Sequence, residues 1–248
     1  MRELSLPGRT KPYVMAHRGN RVLCPENTLA SFSKAFAEGA DILETDLHLS
    51  ADGVFMCIHD ATVDRTTDGS GPVSEKTLSE LKLLSASYGF NGFEEERIPT
   101  LAETAAILPP GVALALELKT DRFLEPEVCN RLIEELRTAD ILERSLLLSF
   151  SLPRLQAVKA VEPTIPMGWI TMAQLCPNPL PEVLGPFWPG IFLNPFFVWR
   201  AHRRGQVVCP LDPTPDGRLW YYKLLKCDAV VTDNPGATLE ALKRISYK

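Results

Sequence analysis

Eight short apolar runs recur along this 248-residue chain, and most of the stretches between them carry helical patterning. The runs cover residues 13–16, 42–46, 112–118, 146–150, 166–170, 191–194, 206–210 and 229–232. The helical stretches cover 28–38, 101–108, 126–139, 152–161, 217–226 and 237–244. Strands that alternate with helices imply parallel βα units. Eight such units can close into a (β/α)8 TIM barrel, and the length matches the roughly 250 residues usual for one. A doubly wound open sheet alternates in the same way, but no Gly-x-Gly-x-x-Gly fingerprint follows the first strand to favour it. The expectation is an α/β chain forming a single TIM-barrel domain over residues 1–248.

A hydrophobic content of 45% and a charged content of 23% leave ample apolar mass for one core and exclude disorder. Twenty-six Lys and Arg against 31 Asp and Glu give a net charge of -5, so no overall positive field draws in nucleic acid or an anionic membrane. An anionic substrate would have to be met locally. Cys24, Cys57, Cys129, Cys176, Cys209 and Cys227 are scattered without a Cys-x-x-Cys pair, which points to a reduced, cytoplasmic chain. Residues 1–12 lack the apolar centre of a secretion signal, and no apolar run approaches the ~18 residues of a membrane span. Oligomeric state is not legible.

One run breaks the alternation. Residues 54–58 follow the second strand after about seven residues, too few for a parallel crossover of a dozen or more. The Asp52-Gly53 dipeptide suits a tight turn, so the chain is expected to return as a hairpin that carries His59 to the level of Glu44 and Asp46. Residues 60–98 then form an insertion expected over the barrel mouth. The stretch 177–199 is dense in Pro and aromatics; it reads either as a loop leading into a buried strand or as an aromatic wall for a lipid chain.

Barrel active sites lie at the C-terminal ends of the strands, and His17-Arg18-Gly19 stands there after the first. A histidine alone could be a structural hydrogen-bonder, but Arg18 beside it is a planar cation suited to phosphate. Asn27 is placed to cap the next helix. On the second strand the two-residue period puts Glu44, Asp46 and His48 on one face. On the next barrel strand Ala113, Ala115, Glu117 and Lys119 share a face, the small residues leaving room beside Glu117. If that face points inward, three carboxylates meet, an arrangement costly to desolvate without a cation. All-oxygen ligands suit Mg²⁺ or Ca²⁺. An ion-pair network that uses Lys119 is the alternative.

His17-Arg18-Gly19, Pro25-Glu26-Asn27-Thr28, Glu44-Thr45-Asp46, Asp52-Gly53, His59-Asp60, Arg65-Thr66-Thr67, Gly69 and Gly71, Glu117-Leu118-Lys119 and Thr232-Asp233-Asn234-Pro235, in this order, resemble the glycerophosphodiester phosphodiesterase family. The resemblance spans nearly the whole chain. It implies metal-dependent hydrolysis of a small glycerophosphodiester to an alcohol and sn-glycerol 3-phosphate. His17 and His59 would be catalytic, Glu44, Asp46 and Glu117 would hold one divalent cation, and Arg18 and Lys119 would contact phosphate. The family often carries a Trp-Thr-Val-Asn-like stretch after the seventh strand; here Val208-Cys209-Pro210-Leu211-Asp212 stands instead, which implies a different pocket wall. Thr232-Asp233-Asn234-Pro235 could serve the site or simply form the turn before the last helix. A lysophospholipase D-like enzyme acting on lysophospholipids and a catalytically inactive barrel serving as a binding module are the other two readings.

Overall fold

The computed structural model describes residues 6–87 and 89–246; residues 1–5 of the amino-terminal stretch, residue 88 of the 60–98 segment and residues 247–248 lie outside the described residues. Nine strands are described: β1 (Tyr13–His17), β2 (Ile42–Leu49), β3 (Phe55–Cys57), β4 (Ala113–Leu118), β5 (Ser145–Ser149), β6 (Met167–Thr171), β7 (Val183–Pro186), β8 (Val207–Val208) and β9 (Ala229–Thr232). Eight of them run parallel in the order β8-β7-β6-β5-β4-β2-β1-β9, as a TIM barrel requires. Asp228 joins the two ends of that order. Its amide donates to Val208 O at 2.9 Å, and its carboxylate accepts from the Val208 amide, also at 2.9 Å.

β3 is the expected hairpin. It pairs antiparallel with β2, Leu47 opposite Cys57 and Leu49 opposite Phe55, and Gly53 takes the positive φ of 82° that the turn requires. The Ile58 amide donates to Asp46 O at 3.0 Å, which brings His59 to the carboxylate strand.

The helices are α1 (Leu29–Glu38), α2 (Leu78–Leu81), α3 (Leu101–Ile107), α4 (Pro126–Thr138), α5 (Leu152–Val161), α6 (Trp188–Leu193), α7 (Phe196–His202), α8 (Leu219–Leu224) and α9 (Pro235–Ser246). The strand alternation decides which residues meet them. Leu43, Leu47, Leu114, Leu116 and Leu147 point outward and pack with Phe32, Leu101, Leu132 and Leu155 of α1, α3, α4 and α5. Tyr13, Met15, Ile42, Ala113, Ala115, Leu148 and Val231 form a separate inner cluster that fills the barrel. No helix among the described residues is long and apolar enough to cross a membrane.

Two expectations are corrected. The sixth barrel strand is Val183–Pro186, not 191–194; residues 191–193 belong to α6 and Asn194 follows it. A proline in the first turn suits a helix start, and Trp188 and Ile191, three residues apart, turn to the same apolar cluster, a spacing only a helix allows. Thr28, not Asn27, caps α1: its hydroxyl accepts from the Ser31 amide while Ser31 Oγ accepts from the Thr28 amide. Asn27, at φ 52°, is thereby turned toward the barrel interior.

Candidate active site

The ladder registers assemble the site. His17 lies opposite Glu44 across β1–β2, and Asp46 lies opposite Glu117 across β2–β4, so all four stand at the C-terminal rim of neighbouring strands. One oxygen from each of Glu44, Asp46 and Glu117 lies within 4.8 Å of the other two, and all three residues are buried. Two cations touch this cluster. Lys119 Nζ sits 2.7 Å from Glu117 Oε1 and 3.1 Å from Asp46 Oδ1. Arg18 Nε is 3.1 Å from Asp46 Oδ2, while its Nη1 donates to Glu26 at 2.9 Å and its amide to Glu44 Oε2 at 3.0 Å.

Asn27 Nδ2 donates to Asp46 Oδ2 at 2.9 Å and its carbonyl accepts from Thr45 Oγ1 at 2.8 Å. The geometry thus gives Asn27 a bracing role instead of the cap. Gly19 is obligatory beside Arg18: at φ 80° a Cβ would lie 2.6 Å from the Ser31 backbone. That close approach lets the 17–20 turn sit on the start of α1.

The charges are unevenly balanced. Burial, with Asp46 and Glu117 alongside, pushes the Glu44 carboxyl well above its ordinary range. Burial also raises Glu117, although Lys119 opposes it. Burial works against Asp46 too, yet Lys119 and Arg18 hold it below the usual carboxylate value. Asp46 Oδ1 is buried and meets only the Lys119 ammonium, at 3.1 Å. Three crowded carboxylates, two of them reluctant to ionise, are an all-oxygen donor set that a hard divalent cation fits.

The histidines flank this cluster, and each has an aspartate partner from one of the motifs quoted above, to which the sequence assigned no histidine. His17 Nδ1 is 2.7 Å from Asp233 Oδ1, at the end of β9, and His59 Nδ1 is 2.6 Å from Asp60 Oδ1. Burial lowers the pKa of His17, with Asp233 working in the opposite direction. Burial likewise lowers His59, and Asp46 opposes the shift there. His48 does reach this region: its Nε2 lies 3.2 Å from His59 O and braces that backbone. Glu26 is a further hub missed in the sequence, buried and contacted by Arg18, Arg21 and Arg65 at 2.8–2.9 Å.

A narrow cleft opens beside the cluster, lined on one side by His17, Glu44 and Glu117 and on the other by Leu148, Ile170, Gly185, Cys209, Pro210 and Leu211. Among the described residues, none of 187–199 lines it. Asp212, next in the divergent stretch, is taken up structurally by Arg218 at 2.6 Å and Tyr222 at 2.5 Å.

A TIM barrel with two Asp-paired histidines, a carboxylate triad and two cations at its C-terminal rim defines a class built to act on a phosphate ester. The glycerophosphoryl diester phosphodiesterase family model matches residues 17–237, and the chain belongs to that family of phosphoric diester hydrolases. It is 32% identical to a glycerophosphodiester phosphodiesterase of Caldanaerobacter subterraneus, over 94% of this chain and 99% of that protein. An Oleispira antarctica phosphodiesterase solved in complex with the product sn-glycerol-3-phosphate is similar at 31% identity and a TM-score of 0.82, covering 94% of this chain and 97% of the other. A glycerophosphodiester phosphodiesterase from Agrobacterium tumefaciens shares the fold at TM-score 0.79 and 24% identity, over 91% and 98% of the two chains.

Proposed function

We propose that this chain hydrolyses glycerophosphodiesters to an alcohol and sn-glycerol 3-phosphate, with His17 and His59 as its acid/base pair and one divalent cation, Mg²⁺ or Ca²⁺, held by Glu44, Asp46 and Glu117. The observation that carries it is the convergence of the three carboxylate oxygens, within 4.8 Å of one another, beside the cleft that His17, Glu44 and Glu117 line. The product-bound Oleispira relative supports the choice of substrate class. The cation would supply charge to the phosphoryl oxygens as a Lewis acid.

The remaining steps fall to this chain's own side chains. Lys119 and Arg18, both charged and both touching Asp46, face the phosphate and neutralise it as charge builds. One imidazole accepts a proton from the attacking hydroxyl and the other donates one to the departing alkoxide. Asp233 and Asp60 fix the tautomers: an Nδ1–H bonded to a carboxylate leaves Nε2 as the working atom of each ring. The apolar side of the cleft, Leu148 to Leu211, excludes water from the leaving alcohol.

Residues 1–248 are read as one domain, with 60–98 as an insertion over the mouth. The cluster of Met56, Ile58, Val63, Val73, Leu81 and Ile98 on the hairpin supports this. The six free cysteines agree with a cytoplasmic setting. The test is release of glycerol 3-phosphate from glycerophosphocholine with Mg²⁺, with Ca²⁺ and with chelator, alongside His17→Ala and Glu44→Ala. Metal-dependent release, lost in both variants, is expected; no release under any metal overturns the reading.

A further inference from the structure

The chain as a whole is acidic, yet between Glu182 and Asp212 it contains no carboxylate and three arginines, Arg200, Arg203 and Arg204. The same stretch exposes large apolar side chains: Leu193 at 75%, Phe196 at 63%, Trp199 at 58% and Phe192 at 41%. They lie together. Phe196, Trp199 and Arg203 recur at helical spacing on and just beyond α7, and the Arg203 guanidinium lies 5.5 Å from the Trp199 ring centroid. The neighbouring β6–β7 loop extends the face. Asn194 Nδ2 donates to Leu175 O at 2.7 Å, and Leu175 is itself 46% exposed. Arg200 and Arg204 reach the same loop, at Cys176 Sγ and Pro177 O.

Among the described residues, none of the three arginines has a carboxylate partner, although ion pairs occupy most other arginines of the chain. Exposed Trp and Phe beside unpaired arginines are what an anionic bilayer surface accepts: rings enter the headgroup region while guanidiniums meet lipid phosphates. A neutral or cationic partner would leave these charges unmatched.

We propose that the face formed by α6, α7 and the β6–β7 loop is a peripheral docking surface for an anionic lipid bilayer, which it engages with Leu193, Phe196 and Trp199 inserted and Arg200, Arg203 and Arg204 on the headgroups. The proposal is independent of the hydrolytic reading, because it is read by vesicle binding and not by activity.

The experiment is co-sedimentation of the full chain with phosphatidylcholine vesicles and with vesicles containing phosphatidylglycerol, at low and high salt. Wild type is compared with Phe196→Ser/Trp199→Ser and, as a set that keeps every apolar side chain, Arg200→Glu/Arg204→Glu. Binding to the anionic vesicles is expected, weakened by salt, and reduced at least roughly tenfold in the arginine pair, since each basic side chain contributes about fivefold near such a surface. Three results overturn it: no binding to anionic vesicles, equal binding to neutral ones, or binding unchanged in the arginine pair. Light scattering showing a dimer that the Phe196/Trp199 pair dissolves also overturns it, in favour of a second copy of this chain as the occupant.

Discussion

Asp233 Oδ1, at the end of β9, sits 2.7 Å from Nδ1 of His17, at the end of β1. Two paired strands, the first and the last of the chain, thus deliver an imidazole and a carboxylate bonded to it to one point. Asp233 raises the pKa of His17 against the lowering effect of burial. Asp233→Asn is therefore expected to cut kcat by roughly 10- to 100-fold with little change in KM, as for outer partners that orient a working histidine. It also removes a contribution that raises the pKa, so the His17-dependent limb of the pH–rate profile should move to lower pH. A limb that stays in place in a variant of unchanged fold would show that the contact is structural only.

Cation binding has a readout separate from turnover. If Glu44, Asp46 and Glu117 hold a divalent ion in the folded chain alone, Mg²⁺ or Ca²⁺ at about 100 times its Kd should stabilise the fold by about 2.7 kcal/mol. Differential scanning calorimetry with and without chelator measures this. Glu44→Gln should abolish the increment. An unfolding temperature indifferent to both ions would favour the ion-pair network made by Lys119 and Arg18.

Glu26 governs acid stability. Burial opposes its ionisation, but Arg65, Arg18 and Arg21 hold its pKa at about 2, down from 4.5. A folded-state pKa below the unfolded one means stability that is present above pH ~4.5 and lost as pH falls toward 2, on the order of 2 kcal/mol. Urea titrations between pH 6 and pH 2.5 should show that loss in wild type. The pH dependence should flatten in Glu26→Gln, which starts out less stable because three guanidiniums lose their carboxylate.

Gly19→Ala tests the turn that aims His17 and Arg18. The added Cβ meets the Ser31 backbone at 2.6 Å, at a φ that L-residues rarely adopt. A cost of roughly 2–3 kcal/mol is expected, lowering Tm by about 5–10 °C in a chain of this size, with activity falling alongside. A melting curve superimposable on wild type would contradict the geometry.

The strands that carry the candidate site were legible because their alternation is strict. Glu44, Asp46 and His48 alternate with Leu43, Thr45 and Leu47, so inward and outward faces could be assigned from parity alone. The hairpin followed from spacing and one Asp-Gly pair. β7 was missed because Gly185 and Pro186 dilute its four residues, while the apolar 191–194 nearby looked more like a strand until the packing of α6 decided it. Asn27 reads as a cap in one dimension, since its side chain's partner Asp46 lies nineteen residues away. Asp233 lies 216 residues from His17, and no local pattern could have linked them.

The barrel ring is chemically lopsided. The ionisable groups that line the cleft, His17, Glu44 and Glu117, come from β1, β2 and β4, while the arc from β5 to β8 offers Leu148, Ile170, Gly185, Cys209 and Leu211. On the proposed reading, reactivity and selectivity fall to different arcs of one circle. Replacing residues along the second arc can change which alcohol the cleft accommodates while the bond-breaking apparatus opposite stays as it is, so a lineage of such barrels can diversify in what it cleaves without re-inventing how.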